Sequence, residues 1–95
     1  MKGYVVCVYK SISNEEKLKE YAVKARIAVE KYQGKFLIRG GQSTTNEGDD
    51  SPRTVVIEFL SYDRANLFYN SKEYQDAHAT LQGYADRHHQ TIEGV

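Results

Sequence analysis

Arg53-Thr54-Val55-Val56-Ile57-Glu58-Phe59-Leu60 is the stretch on which the fold turns. It is rich in β-branched and aromatic residues and contains one acid, so it reads as a strand. Alternate side chains of a strand point to opposite faces. Val55, Ile57 and Phe59 therefore share one face, and Val56 and Leu60 share the other. A sheet with one solvated face alternates apolar with polar residues. This stretch is largely apolar on both faces, so both faces of the sheet are expected to be covered. The same holds for Gly3 to Tyr9, where Val5, Cys7 and Tyr9 back onto Tyr4, Val6 and Val8.

Other elements follow on either side. Ser13 with Glu16 has the spacing of a capping box that opens a helix. Leu18, Tyr21, Ala22, Ala25, Ala28, Val29 and Tyr32 then recur along one helical face, and Gly34 suits the C′ position that stops it. Lys35 to Arg39 reads as a second strand, with a bulge expected at Gly40-Gly41. The polar segment from Thr45 to Pro52 is a hairpin loop. Ser61 caps a helix from Tyr62 to Tyr69, Asn70-Ser71 interrupts it, and Ser71 caps a further turn to about Gln82 before Gly83. Arg87 to Glu93 alternates weakly and completes the set as strand four.

The order β-α-β-β-α-β predicts an α+β, ferredoxin-like split fold: an antiparallel four-stranded sheet with its helices on one face. In a chain of 95 residues, one domain over 1–95, the cover for the bare face is a second copy. Two sheets packed face to face make a dimeric α/β barrel. A chain this short buries only about 60–65% of the surface it exposes when unfolded, which gives a dimer a further rationale.

Composition excludes several classes. Thirteen basic and thirteen acidic residues cancel, leaving no electrostatic footprint for nucleic acid. The longest apolar run, Val5 to Tyr9, is far too short for a bilayer, and no signal-peptide core follows Lys2. Cys7, the single cysteine, can form no internal disulfide and reads as an inert core residue. His88 and His89 point to opposite faces of their strand, and no paired-histidine helix spacing is present. The expectation is a cytoplasmic protein without metal or cofactor.

The candidate site residues follow from charges inside apolar elements. Arg39, between Ile38 and Gly40, is a fixed cation suited to a carboxylate, enolate or phosphate. A hairpin register placing it opposite Glu58 makes the two an ion pair, and that reading is compatible with a ligand-contacting arginine. Glu58, flanked by Ile57 and Phe59, and His78, one helical turn from Tyr74, are the candidate catalytic proton carriers. Tyr69, Ser71 and Tyr74 flank the helix break and are candidate ligand-binding groups, with simple capping and core packing as the alternative.

The motifs Phe-Leu-Ile-Arg-Gly-Gly at 36–41, Glu47-Gly48, Val-Val-Ile-Glu-Phe at 55–59, Phe-Tyr-Asn-Ser-Lys-Glu-Tyr-Gln at 68–75 and Ile92-Glu93-Gly94, in that order, resemble the family catalogued as domain of unknown function 1330, within the dimeric α/β-barrel superfamily. The resemblance implies the fold already argued and no established activity. Superfamily relatives include cofactor-free monooxygenases, lactone isomerases, haem enzymes and ligand-sensing domains, so the fold does not choose a chemistry. Where the family often carries an arginine near Leu81, this chain reads Thr80-Leu81-Gln82. The functional expectation is a small-molecule pocket serving a cofactor-free oxygenase or isomerase; the alternatives are a non-catalytic ligand-binding or stress-related module, or a structural dimer.

Overall fold

The computed structural model of the chain describes residues 1–95. Its elements run β1 (Gly3–Ile12), α1 (Glu15–Lys31), β2 (Lys35–Arg39), β3 (Thr54–Phe59), α2 (Tyr62–Tyr69), α3 (Lys72–Leu81) and β4 (Ala85–Glu93). The four strands form one antiparallel sheet in the order β2-β3-β1-β4. This is the expected α+β, ferredoxin-like arrangement with its second helix broken in two. No helix is long and apolar enough to cross a membrane.

One face of the sheet carries the core. Val5, Cys7 and Tyr9 of β1 and Val55, Ile57 and Phe59 of β3 are buried together with Leu18, Ala28 and Val29 of α1, Phe68 of α2, and Tyr74 and Leu81 of α3. The opposite face holds Tyr4, Val6, Val8 and Val56, which are only half-buried, and Ile38 and Ile92, each 46% exposed. All three helices therefore lie on one side, and a face with valines at its centre, and Glu58, His88 and Gln90 beside them, is left on the other. The helices do not press down evenly. α1 has its close backbone neighbours in α3, whereas α2 is the helix that lies against β1, β3 and β4. α1 thus packs chiefly along its neighbouring helix, while its Leu18, Ala25, Ala28 and Val29 join the core over the sheet.

Local chemistry sets the helix ends, twice by a route other than the one the sequence rules suggest. Asn14 is the N-cap of α1: its Oδ1 accepts from the Lys17 N–H at 3.0 Å. Ser13 is drawn away, because both its backbone N–H and its hydroxyl donate to the Tyr84 carbonyl. The expected Ser13–Glu16 box is therefore displaced by one residue. At the other end Gln33, with φ 60°, takes the left-handed C′ position expected for Gly34. Gln33 N–H donates to the Glu30 carbonyl and Gly34 N–H to that of Val29, the paired bonds of a Schellman close. Gly34 is needed for space instead: a Cβ there would sit 2.7 Å from the Phe59 ring and 2.8 Å from Val29. Ser61 and Ser71 cap α2 and α3 as expected, their hydroxyls accepting from Arg64 and Tyr74 N–H groups.

The β2–β3 register differs from the expected one. Arg39 lies opposite Val55, and Glu58 lies opposite Lys35. The bulge falls between Phe36 and Ile38, within the strand, not at Gly40-Gly41. Arg39 and Glu58 consequently sit at opposite ends of the ladder and form no pair.

Candidate functional site

The gap beneath α1 is a cavity of about 330 Å³ between that helix and the core face of the sheet. Its walls are mostly apolar, from Val5, Val29, Val55, Ile57 and Phe68 among others. Its polar groups are unusual in kind. Four arginines line it: Arg26 from α1, Arg39 from β2, Arg53 from the loop entering β3, and Arg87 from β4. No acidic residue does. The ion pairs of the molecule all use lysines, such as Lys31 with Glu73 and Lys72 with Asp76, so none of these guanidinium groups is neutralised by a carboxylate.

Strand pairing explains how Arg87 arrives there. It pairs with Tyr9, and His89 pairs with Cys7, so both point to the core face. Arg87 Nη1 donates to the Tyr21 hydroxyl at 3.1 Å and weakly to Cys7 Sγ at 3.6 Å, and Nη2 donates to the Tyr74 hydroxyl at 3.3 Å. The guanidinium lies over the rings of Tyr9 and Tyr21, 5.3 and 5.1 Å from their centroids. Tyr21 and Tyr74 share a hydrogen bond at 2.9 Å, and Tyr74 reaches His89 Nε2 at 3.4 Å. One cation is therefore held by neutral phenols and by ring faces, an arrangement that fixes its position without cancelling its charge.

Burial tunes every titratable group in this network. Burial works against the charge of Arg87, but Tyr21, Tyr74 and Cys7 around it outweigh that and hold its pKa above the ordinary value. Burial raises Tyr9, Tyr21 and Tyr74, and raises the Cys7 thiol against the pull of Arg87, so these groups stay protonated. His89 is pushed down to about 4, first by burial and then by the charges of Arg87, His78 and His88. It is a neutral imidazole at pH 7, and the same burial makes it a weak base.

Of the residues singled out in the sequence, Arg39 and Tyr74 meet at this cavity. Arg39 stacks over the Phe36 ring at 4.7 Å. Tyr69 packs against the Tyr74 and His89 rings without lining the cavity. Ser71 is occupied as a cap, donating to the Phe68 carbonyl at 2.7 Å and accepting from Tyr74. His78 stacks on Tyr74 with an interplanar angle of 20°, and burial and Arg87 lower its pKa, but it is not in the lining. Glu58 is on the other face of the sheet, where it accepts from the Tyr4 hydroxyl at 3.1 Å. Arg53, Arg87, His89 and Tyr21 were not anticipated. The signal was present in Arg87-x-His89, two polar residues on the same face of one strand. No three His, Cys, Asp or Glu side chains come together as a metal would require.

The fold is shared by solved proteins of low identity. A Rhodopseudomonas palustris protein of unknown function, RPA0582, superposes with a TM-score of 0.78 at 12% identity, covering 99% of this chain and 82% of that one. An ethyl tert-butyl ether d (ethd) family protein from Bacillus halodurans gives 0.65 at 10% identity, covering all of both chains. A dimeric protein of unknown function and ferredoxin-like fold from Bacteroides fragilis gives 0.58 at 16% identity, covering 98% of this chain and 96% of that one. At these identities the likeness is one of fold. No curated protein matches the chain. The family model for a domain of unknown function, DUF1330, matches residues 2–95, and the chain belongs to that family.

Proposed function

We propose that this protein is a homodimer, each subunit of which binds a small organic anion in the cavity beneath α1 and moves a proton on it without a cofactor. The observation that carries the reading is a largely apolar cavity ringed by four arginines with no carboxylate to neutralise them. A buried cation without an anionic partner gains most from an anionic ligand, and apolar walls select one with a hydrophobic body. The volume sits at the small end of the range for ligand pockets, roughly 300–1,000 Å³. The homodimer is supported by the apolar outer face and by the dimeric Bacteroides fragilis neighbour.

The proton transfer rests on His89. A neutral imidazole within reach of the Tyr74 hydroxyl takes a proton from carbon or oxygen, and Arg87 faces the oxyanion that forms. Proton removal of this kind opens both an isomerisation and a cofactor-free oxygenation. Arg39 and Tyr74 keep their expected places as ligand contacts, while His89 takes the proton-carrier role first assigned to Glu58 and His78. A second reading, a binding module without chemistry, is favoured by the fact that Arg87, Tyr21 and Tyr74 already satisfy one another.

Native mass spectrometry of purified protein, followed by calorimetric titration with benzoate and phenylpyruvate, tests the reading. Binding of either acid is expected, weakened by about tenfold or more in Arg87→Met. In deuterated water the protein should exchange the methylene protons of phenylpyruvate, and His89→Gln should bind it but lose the exchange. Binding without exchange in the unaltered protein selects the second reading. No bound acid and no titration signal overturns both.

A further inference from the structure

Arg53 is set apart from the other arginines of the cavity. Its Nε is the one buried side-chain nitrogen or oxygen in the molecule with no hydrogen-bond partner. Its Nη1 lies against Gly40, so close that a Cβ there would come within 2.9 Å of it. Gly40 has φ 74° and donates its N–H to the Thr54 carbonyl, so a short backbone turn presses on the guanidinium from outside. The side chain is seated by shape and left without an acceptor. The Arg53 carbonyl accepts from Tyr9 N–H at 2.9 Å, while Arg87 pairs with Tyr9 from the other side. Arg53 and Arg87 therefore flank β1 at the same level of the sheet. With neighbouring strands about 4.8 Å apart, their backbones are about 10 Å apart. Both side chains reach inward over the core face, one end of the cavity held by phenols and the other by Gly40 and the exposed Arg39.

We propose that Arg53 forms a second anion subsite, so that the ligand class is a flat organic dianion whose two acidic groups lie across β1 from one another, one at Arg87 and one at Arg53. This rests on the reading of the cavity as an anion site and adds its specificity. A carboxylate that turns the guanidinium by one rotamer step gives the Arg53 Nε–H its missing acceptor, and the planar fork then donates to two oxygens side by side. Lysine at this position keeps the charge and loses the fork.

Calorimetric titration with benzoate and with terephthalate tests the inference, with circular dichroism confirming that each variant is folded. Terephthalate should bind on the order of ten- to a hundredfold more tightly than benzoate. Arg53→Met should remove that preference, bringing the two acids to similar affinity; Arg53→Lys should retain only part of it, and serves as the test variant if Arg53→Met does not fold. Equal affinities for the two acids overturn the second subsite while leaving the anion cavity in place. A preference that survives both substitutions assigns the subsite to another residue and overturns the role of Arg53. Binding of neither acid removes the cavity reading itself.

Discussion

His89 pairs with Cys7 on the central strand and is neutral in the folded protein, and that neutrality has a measurable signature. Its pKa is about 4 when folded and near the ordinary 6.5 when unfolded. Between those values the unfolded chain holds the extra proton, so stability rises with pH. The loss begins as pH falls through 6.5 and is complete below about 4. Two and a half units correspond to about 3 kcal/mol. Chemical denaturation at pH 7 and pH 4.5 should show most of that drop, about 2 kcal/mol, for the native protein and a clearly smaller one for His89→Gln. An equal drop in both would mean that the imbalance lies elsewhere. At this scale the sequence was half legible. Arg39 could be recognised because a charge between Ile38 and Gly40 breaks an apolar run. Arg87-x-His89 puts two polar residues on one face of β4, but every residue from Asp86 to Thr91 is polar, so nothing local says which of the two faces turns inward. Glu58 illustrates the converse: burial on a strand was readable, but the face was not, since it depends on which side the helices cover.

At the scale of elements, caps, breaks and strands were largely readable from local chemistry. The bounds of β2, and of α2 between Ser61 and Asn70, follow the sequence signals residue for residue. The failures have a common cause in tertiary contact. Ser13 lost the cap because Tyr84 offers a better acceptor arrangement. Gln33 accepts an unfavourable left-handed φ because the residue after it must be small enough to pass Phe59 and Val29. The hairpin register slipped because a bulge inside β2 is invisible to counting. The helix end gives a paired prediction of opposite signs. Gly34→Ala overpacks the core and should cost about 1–3 kcal/mol. Gln33→Gly relieves the left-handed backbone and should stabilise by about 1 kcal/mol. In a domain of this size each kcal/mol moves Tm by roughly 4–8 °C, so a thermal melt separates the two clearly. Destabilisation by both substitutions would show that the Gln33 side chain holds the turn.

For the molecule as a whole, two-sided apolar strands carried the argument from one chain to two. Val6, Val8 and Val56 are half-buried within the subunit, and no element of the chain covers them. Packing this face on a second copy yields an interface that, if obligate, buries about 2,000 Å² or more in total. Sedimentation at micromolar concentration should give the dimer mass. Val6→Asp with Val56→Asp should give monomer, because a carboxylate at the centre of an apolar interface is left without solvent. A native monomer at that concentration would overturn the assembly. Overall architecture was readable because it depends on element order and alternation. The cavity was not, because it depends on α1 resting on α3, a relation between elements far apart in the chain.

The strand order β2-β3-β1-β4 leaves two open edges, and an open edge invites foreign strands to add on. Each is defended differently here. β2 is five residues long, bulged at its middle, bounded by Lys35 and Arg39, and followed by two glycines with positive φ. β4 is longer, and its Asp86, His88 and Gln90 place polar groups along that margin of the outer face, His88 and Gln90 beside Val8 and Val6. Short, twisted and charged margins make poor templates for amyloid-like growth. The chain therefore keeps its apolar surface on the face of the sheet, where the proposed association would close after two copies, and keeps it off the rims, where association would never close.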